Sequence, residues 1–379
     1  MTRLAAFAPL LASHADLAFL PVGSTDLHYL AGIPRDIPKY GVTLHPGDWL
    51  EGAWIAPGHA PILCLPRMTA EFGGRGAPDG VELRVLADHD DPAELIRDLL
   101  ARFRFSAHPR IAVSDRAHAT SLVNLQALLP EARFLSATAI VRELRTIKSA
   151  EEIVLMREAG RRTEAAFAET LPLLRFGMTE LDIISELDFR MKRQGSLGPS
   201  FTTNLYNTGP HHPLLMGRKL ESWPRPIRPP VSVLFDFGLS HEGLCYDYGR
   251  TVSFGAPSAE QLRVHALVMQ SQRAGIESLR VGNTCEVADA TARAIIEAAG
   301  EGRGFRHRLG HGIGWDVHEP PFLTRGDTTE LREGMMFTVE PSILHDGGFS
   351  ARAEDVVVVR PGGGERLTGG WQELIVVDR

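Results

Sequence analysis

The sequence predicts an α+β chain in two parts: a smaller α/β domain in the first third, then a larger α+β domain built by internal duplication. Three observations carry this. A length of 379 residues exceeds what one ordinary core organises. Strand-like apolar runs alternate with helical patterns through the first third. Beyond them, the order of capped helix, second helix and hairpin occurs twice, over residues 149–254 and 258–359.

In the first part, MTRLAAFAPLLASHADLAFL superficially resembles a signal peptide. His14 and Asp16 interrupt it and no small-residue cleavage site follows, so it reads as an amphipathic helix leading into a strand over 17–22. Strand-like runs follow at 54–65, 81–86 and 110–113. Helical patterns occupy 92–103, opened by Asp91-Pro92, and 120–129. The stretch Gly73-Gly74-Arg75-Gly76 lacks a helix pattern after it, which predicts a flexible surface loop and not a phosphate cradle. The boundary falls where VRELRTIKSAEE runs into the capping box Ser149/Glu152, giving expected domains of 1–141 and 142–379.

The second part carries the chemistry. VSVLFDFGLSHEGLCYDYGRTVSF reads as two strands around a turn at 240–243, which sets Asp236 directly opposite Asp247. Opposed Cβ atoms lie roughly 4.5–5.5 Å apart, so both carboxylates reach one place. GMMFTVEPSILHDGGFSARAEDVVVVR repeats the device, folding about Gly347 to bring Glu340 opposite Glu354. His311, in GHGIG, has glycines on both sides that let the backbone come close. Four carboxylates and an imidazole in separate settings suit two divalent ions, which make a nucleophile of water at neutral pH and polarise a carbonyl. Arg352, two residues before Glu354 on the same face, puts a permanent cation beside them.

Composition removes several alternatives. A net charge of −7 with dispersed Lys and Arg argues against nucleic acid or an anionic membrane as partner. No apolar run approaches the ~20 residues of a membrane span. Cys64, Cys245 and Cys285 are odd in number and form no CxxC pair, which fits free buried thiols in a reducing cytoplasm. The sequence has no GxSxG elbow and no GxGxxG opening a helix, and the two prolines after His318-Glu319 forbid an HExxH helix.

RTIKSAEEI, TELDIISEL, PHHPL, the paired aspartates, GHGIGWDVHEPP, GMMFTVEP and RAED resemble, in order and spacing, the pita-bread metallopeptidases: methionine aminopeptidase, Xaa-Pro aminopeptidase, prolidase and creatinase. The resemblance is strong over 148–379, and the first third is similar to the N-terminal domain of the prolidase and creatinase branch. It implies a pita-bread catalytic domain with a pseudo-twofold. It also implies that Asp236 is terminal on one metal, that Asp247 and Glu354 bridge both, and that His311 and Glu340 complete the second. Glu340 would shuttle a proton to the leaving amine, and His318 would contact the scissile amide. His211, in GPHHP, resembles the substrate histidine, chosen over His212 for the preceding proline; ESWPRPIRPP then lengthens the connection to Asp236 beyond the family pattern.

Methionine aminopeptidase lacks such an N-terminal partner, and creatinase has lost most of the ligands that this chain keeps. The resemblance therefore implies cleavage before proline by a compact Xaa-Pro dipeptidase (prolidase). Aminopeptidase P, or a metal-dependent hydrolase or lyase of a small metabolite, are the alternatives. Arg325 is an expected clamp for the free proline carboxylate, although its spacing to Glu340 is off by one. Arg352 is expected to orient a bridging carboxylate or bind substrate, and Trp223, Arg225 and Arg228 to shape a lid. Oxygen-rich ligation favours Mn²⁺, with Co²⁺ or Zn²⁺ as alternatives. A homodimer follows from the resemblance alone.

Overall fold

The computed structural model describes residues 2–34, 47–72, 79–103 and 105–379. The Gly73–Gly76 stretch lies outside the described residues. The chain divides into two compact units, Met1–Arg145 and Thr146–Arg379. Residue 142 falls within the helix Ala137–Arg145, the last element of the first unit.

The first unit is a six-stranded mixed sheet. Its most interior strand, Leu17–Pro21, is buried at every residue, pairs in parallel with Arg110–Val113 and antiparallel with Gly52–Ile55. An all-apolar run of this kind needs cover on both faces. Leu17, Phe19, Trp54, Ile62, Ile96, Ile111 and Leu125 make the core, with Phe19 stacked on Trp54 at 4.4 Å between ring centroids. The single run expected at 54–65 is two strands, Gly52–Ile55 and Ile62–Pro66, paired antiparallel. Pro57 and Gly58, the latter at φ 78°, turn the chain between them. The N-terminal segment is the helix Arg3–His14, as its amphipathic pattern predicts.

In the second unit the duplication is visible element by element. The helices Ala150–Thr170 and Glu180–Arg193 in the first half answer Ala259–Ser278 and Cys285–Ala298 in the second. Both long helices open on a complete capping box, Ser149/Glu152 and Ser258/Gln261. In each half a short strand then lies antiparallel to the first arm of a hairpin: Asn204–Thr208 beside Val231–Phe237 and Tyr248–Phe254, and Gly310–Gly312 beside Met336–Val339 and Asp355–Val358. Neither short strand was expected from the sequence.

The two hairpins differ in how well their register is legible. Met336–Val339 pairs with Asp355–Val358, and Ser342 with Arg352, in one continuous register that puts Glu340 across from Glu354 as expected. The first hairpin is offset. Its turn centres on Glu242-Gly243, both at positive φ (50° and 84°), so Asp236 faces Gly249 and not Asp247. A shift of two residues keeps both aspartates on one face, as diagonal neighbours in place of opposed ones. The segment 221–230 is also fastened more firmly than a lid. Its backbone bonds to Met178, Leu181 and His212, and Arg225 reaches Glu180 and the Pro213 carbonyl.

Candidate metal centre

The two hairpins and the short strand Gly310–Gly312 deliver side chains from five separate stretches of chain to one buried place. Asp247, His311 and Glu354 each offer one ligand atom within 4.8 Å of the others. His311 Nε2 lies 3.7 Å from Asp247 Oδ2 and 3.4 Å from Glu340 Oε1. Asp236 and Glu340 are joined through Arg352, whose guanidinium pairs with both. All five expected ligands, and Arg352, therefore converge.

Local geometry explains why the backbone permits this. A Cβ on Gly249 would lie 3.0 Å from both Cβ and Oε2 of Glu354, and one on Gly310 only 1.9 Å from the Thr338 carbonyl oxygen. Side chains at those positions would push the carboxylate and the His311 strand out of place. Thr338 ties the second half together: its hydroxyl accepts the His311 N–H at 3.1 Å and lies 3.4 Å from Glu340 Oε1 as its donor.

The charges are arranged for a cation. His311 Nδ1 faces the Gly312 carbonyl at 3.0 Å, an acceptor only, so Nδ1 carries the proton and Nε2 presents its lone pair to the carboxylates. Burial, with His318 and Arg308 nearby, pushes the His311 pKa well down, leaving the neutral ring that ligation requires. Burial pushes the Asp236, Asp247 and Glu354 carboxyls up; Asp236 adds to the rise at Asp247, and Asp247 to that at Glu354. Asp247 Oδ1 and Glu354 Oε2 are buried with no hydrogen-bond partner among the described residues. Four carboxylates against one guanidinium, with a lone pair and orphaned oxygens aimed inward, form a donor set that fits divalent metal.

Residues expected to touch substrate are distributed unevenly. The His318 ring packs edge-on against His311 at 4.1 Å between centroids, and its pKa is lowered, first by burial and then by Arg308. His211 is exposed in the turn bounded by the Gly209–His212 bridge, while His212 is buried with Nε2 3.0 Å from the Arg228 carbonyl. Arg325 lines a surface cleft of about 300 Å³ with Glu286, Asp289, Arg293 and Glu297, a group that includes none of the ligand carboxylates.

Several neighbours were not legible in the sequence. Tyr206, on the short strand Asn204–Thr208, has its phenol pushed up to about 12, first by burial and then by Asp236. His307, four residues before His311, has its pKa lowered first by burial and also feels Glu340 and Arg352, while its own charge lowers the Asp236 carboxyl. Arg250 is fully buried, donates to the Glu354 carbonyl at 2.7 Å and pairs with Asp355 at 2.8 Å. The one sequence signal for Arg250 was an arginine inside a strand-like run, which, if buried, demands a partner.

A duplicated α+β unit closing on an oxygen-rich cluster defines a metallohydrolase of the pita-bread fold. The sequence matches metallopeptidase family M24 over residues 154–361, and the chain belongs to that family. It is 31% identical over 366 residues to the Xaa-Pro dipeptidase of Lactobacillus helveticus, an alignment spanning 95% of this chain and 97% of the relative. The fold matches the crystal structure of a dipeptidase from Pyrococcus horikoshii with TM-score 0.85 and 28% identity, over 99% of this chain and 100% of that one. It matches an X-Pro aminopeptidase from Thermotoga maritima with TM-score 0.78 and 25% identity, over 96% and 98%. Family membership implies divalent metal use. Among the described residues, no helix is long and apolar enough to cross a membrane.

Proposed function

We propose that this hydrolase is an Xaa-Pro dipeptidase, cleaving the amide that precedes a C-terminal proline. The observation that carries the reading is the inward-facing set Asp247, His311 and Glu354, with Asp236 and Glu340 tied beside it by Arg352. The nearly full-length likeness to a dipeptidase selects this activity within the family.

Asp236, Asp247, His311, Glu340 and Glu354 would hold two divalent ions, of which Mn²⁺ suits the oxygen-rich set best, ahead of Co²⁺ or Zn²⁺. Bound there, the ions supply Lewis acidity and a water acidic enough to ionise near neutral pH. Glu340 takes the proton of the attacking water and returns it to the prolyl nitrogen as the amide breaks, a transfer its place beside the cluster suits. His318, whose pKa is lowered first by burial and then by Arg308, donates to the substrate carbonyl and keeps the peptide in line. Arg352 fixes the Asp236 and Glu340 carboxylates in orientation. His211, exposed in its turn, is assigned to substrate contact. Arg325 keeps the clamp role only if a substrate carboxylate extends to its surface cleft. We place the protein in the cytoplasm, consistent with three free buried cysteines, and assign it a homodimeric state that light scattering tests.

Proline release from Ala-Pro, Leu-Pro and a longer Xaa-Pro peptide, with added Mn²⁺ and after chelation, tests the reading. Metal-dependent cleavage of the dipeptides alone is expected. Removal of the first residue from the longer peptide would make it an aminopeptidase P, an outcome kept in view by the likeness to the Thermotoga enzyme. Inertness of metal-replete protein toward all three would move the substrate to a small non-peptide metabolite.

A further inference from the structure

One cation at the edge of this centre lacks a counter-charge. Arg308 lies three residues before His311, half-buried, and its guanidinium packs over the Phe322 ring at 4.3 Å from the centroid. Phe322 is the register partner of His311, and His311 in turn holds the His318 ring against it. Arg308 and Phe322 thus stand beside the ligand His311 and the His318 that packs on it, the residue assigned to the scissile amide. The backbone at Arg308 is anchored, its carbonyl accepting from His307 Nδ1 at 2.7 Å.

Neighbouring arginines are spent. Arg352 is held by Asp236 and Glu340, Arg250 by Asp355, and Arg293 by Asp289. Among the described residues, Arg308 alone of these four has neither a carboxylate nor a hydrogen-bond acceptor on its side chain. A half-buried guanidinium held flat by an aromatic ring, with its five N–H groups unspent, presents a fork that matches a carboxylate bidentately.

Taking the dipeptidase reading as given, we infer that Arg308 receives a carboxylate of the substrate. That carboxylate is either the free C-terminal group of proline or an acidic side chain on the residue before it. Such a contact also gives a dipeptidase its reason to prefer a chain that ends at proline, because a longer peptide carries no carboxylate there.

The test compares wild type, Arg308→Met, which keeps an apolar stem over Phe322, and Arg308→Lys. Each is assayed in Mn²⁺ on Ala-Pro, Ala-Pro amide and Asp-Pro, with bound metal measured and the inhibition constant of free proline determined. If proline's own carboxylate is the ligand, Arg308→Met lowers the preference for Ala-Pro over its amide by about 10- to 100-fold, through KM, and weakens proline inhibition in step. If an acidic side chain is the ligand, the preference for Asp-Pro over Ala-Pro falls by that factor while the amide ratio stays put. In either case Arg308→Lys recovers part of the loss. A common factor on all three substrates, no change on any, or loss of metal from Arg308→Met overturns the inference. Inertness of wild type on all three overturns the dipeptidase reading itself, a separate result.

Discussion

At the scale of single residues, the centre is a set of charges that tolerate one another poorly without a cation. Glu354 is buried beside Asp247, its Oε2 has no hydrogen-bond partner among the described residues, and burial together with Asp247 raises its pKa. Glu354→Gln removes one of these charges, so metal content measured by atomic emission should fall with turnover, while the stripped protein melts no lower than stripped wild type. A marked drop in the stripped protein's melting point would show that Glu354 does structural work beyond ligation. His318→Ala should leave the metal bound and slow turnover by about 10²-fold or more, the scale of a lost proton or hydrogen-bond contact. An emptied site would instead make His318 part of the ligand set. Away from the centre, His265 is 7% exposed and burial, then Arg250, lowers its pKa to about 4 from 6.5. Below pH 6.5 the unfolded chain binds a proton that the folded chain refuses, so stability falls as pH drops toward 4, by about 3 kcal/mol across the window. Denaturant titrations of His265→Gln at both ends of that window should show a flatter pH dependence by that amount.

At the scale of elements, two strands and the ion pair between them decide where Glu354 sits. Arg250, in Tyr248–Phe254, donates to the carbonyls of Gly249 and Glu354 and pairs with Asp355, which opens the strand Asp355–Val358. Arg250→Met leaves the Asp355 carboxylate, itself 0% exposed, with Arg366, Gln272 and Thr368 as its remaining partners, and the lost charged hydrogen bond should cost about 1.5–3 kcal/mol in chemical denaturation. Metal affinity should weaken as well, because the Glu354 backbone loses its donor. Arg250→Met with Asp355→Leu should recover most of the stability but not the affinity, which separates the folding role of the pair from its positioning role. The N-terminal boxes are simpler: Ser149→Ala and Ser258→Ala should each cost about 1 kcal/mol. These caps, and the helices behind them, were legible because a capping box is local chemistry. The first hairpin was less so, since its register depends on Glu242 adopting a positive φ that its residue type does not favour. Tyr206 and His307 reach the centre through strand pairing and packing with partners distant in sequence, and no spacing within either segment announces that.

At the scale of the whole chain, the division between Met1–Arg145 and Thr146–Arg379 falls a few residues past the change of pattern at residue 142, at the end of the helix Ala137–Arg145. The duplication was readable from the order of caps and turns, because both are written in short stretches of sequence. What the pattern could not contain is where the metal's stabilisation acts. Every expected ligand, from Asp236 to Glu354, lies in the unit Thr146–Arg379, and none lies in Met1–Arg145. A ligand that binds only the folded state stabilises it by RT ln(1 + [L]/Kd), about 2.7 kcal/mol at a hundredfold excess over Kd. That term belongs to the unit that holds the ligands. Calorimetry of the full chain should therefore resolve two transitions, with chelation lowering the one that belongs to the larger unit and leaving the other in place. Acidification of metal-loaded protein should act on the same transition, as protons displace the ions from His311 and the carboxylates. If chelation instead moved both transitions together by the same amount, the first unit would share the metal's stabilisation, and the two parts would unfold as one cooperative body.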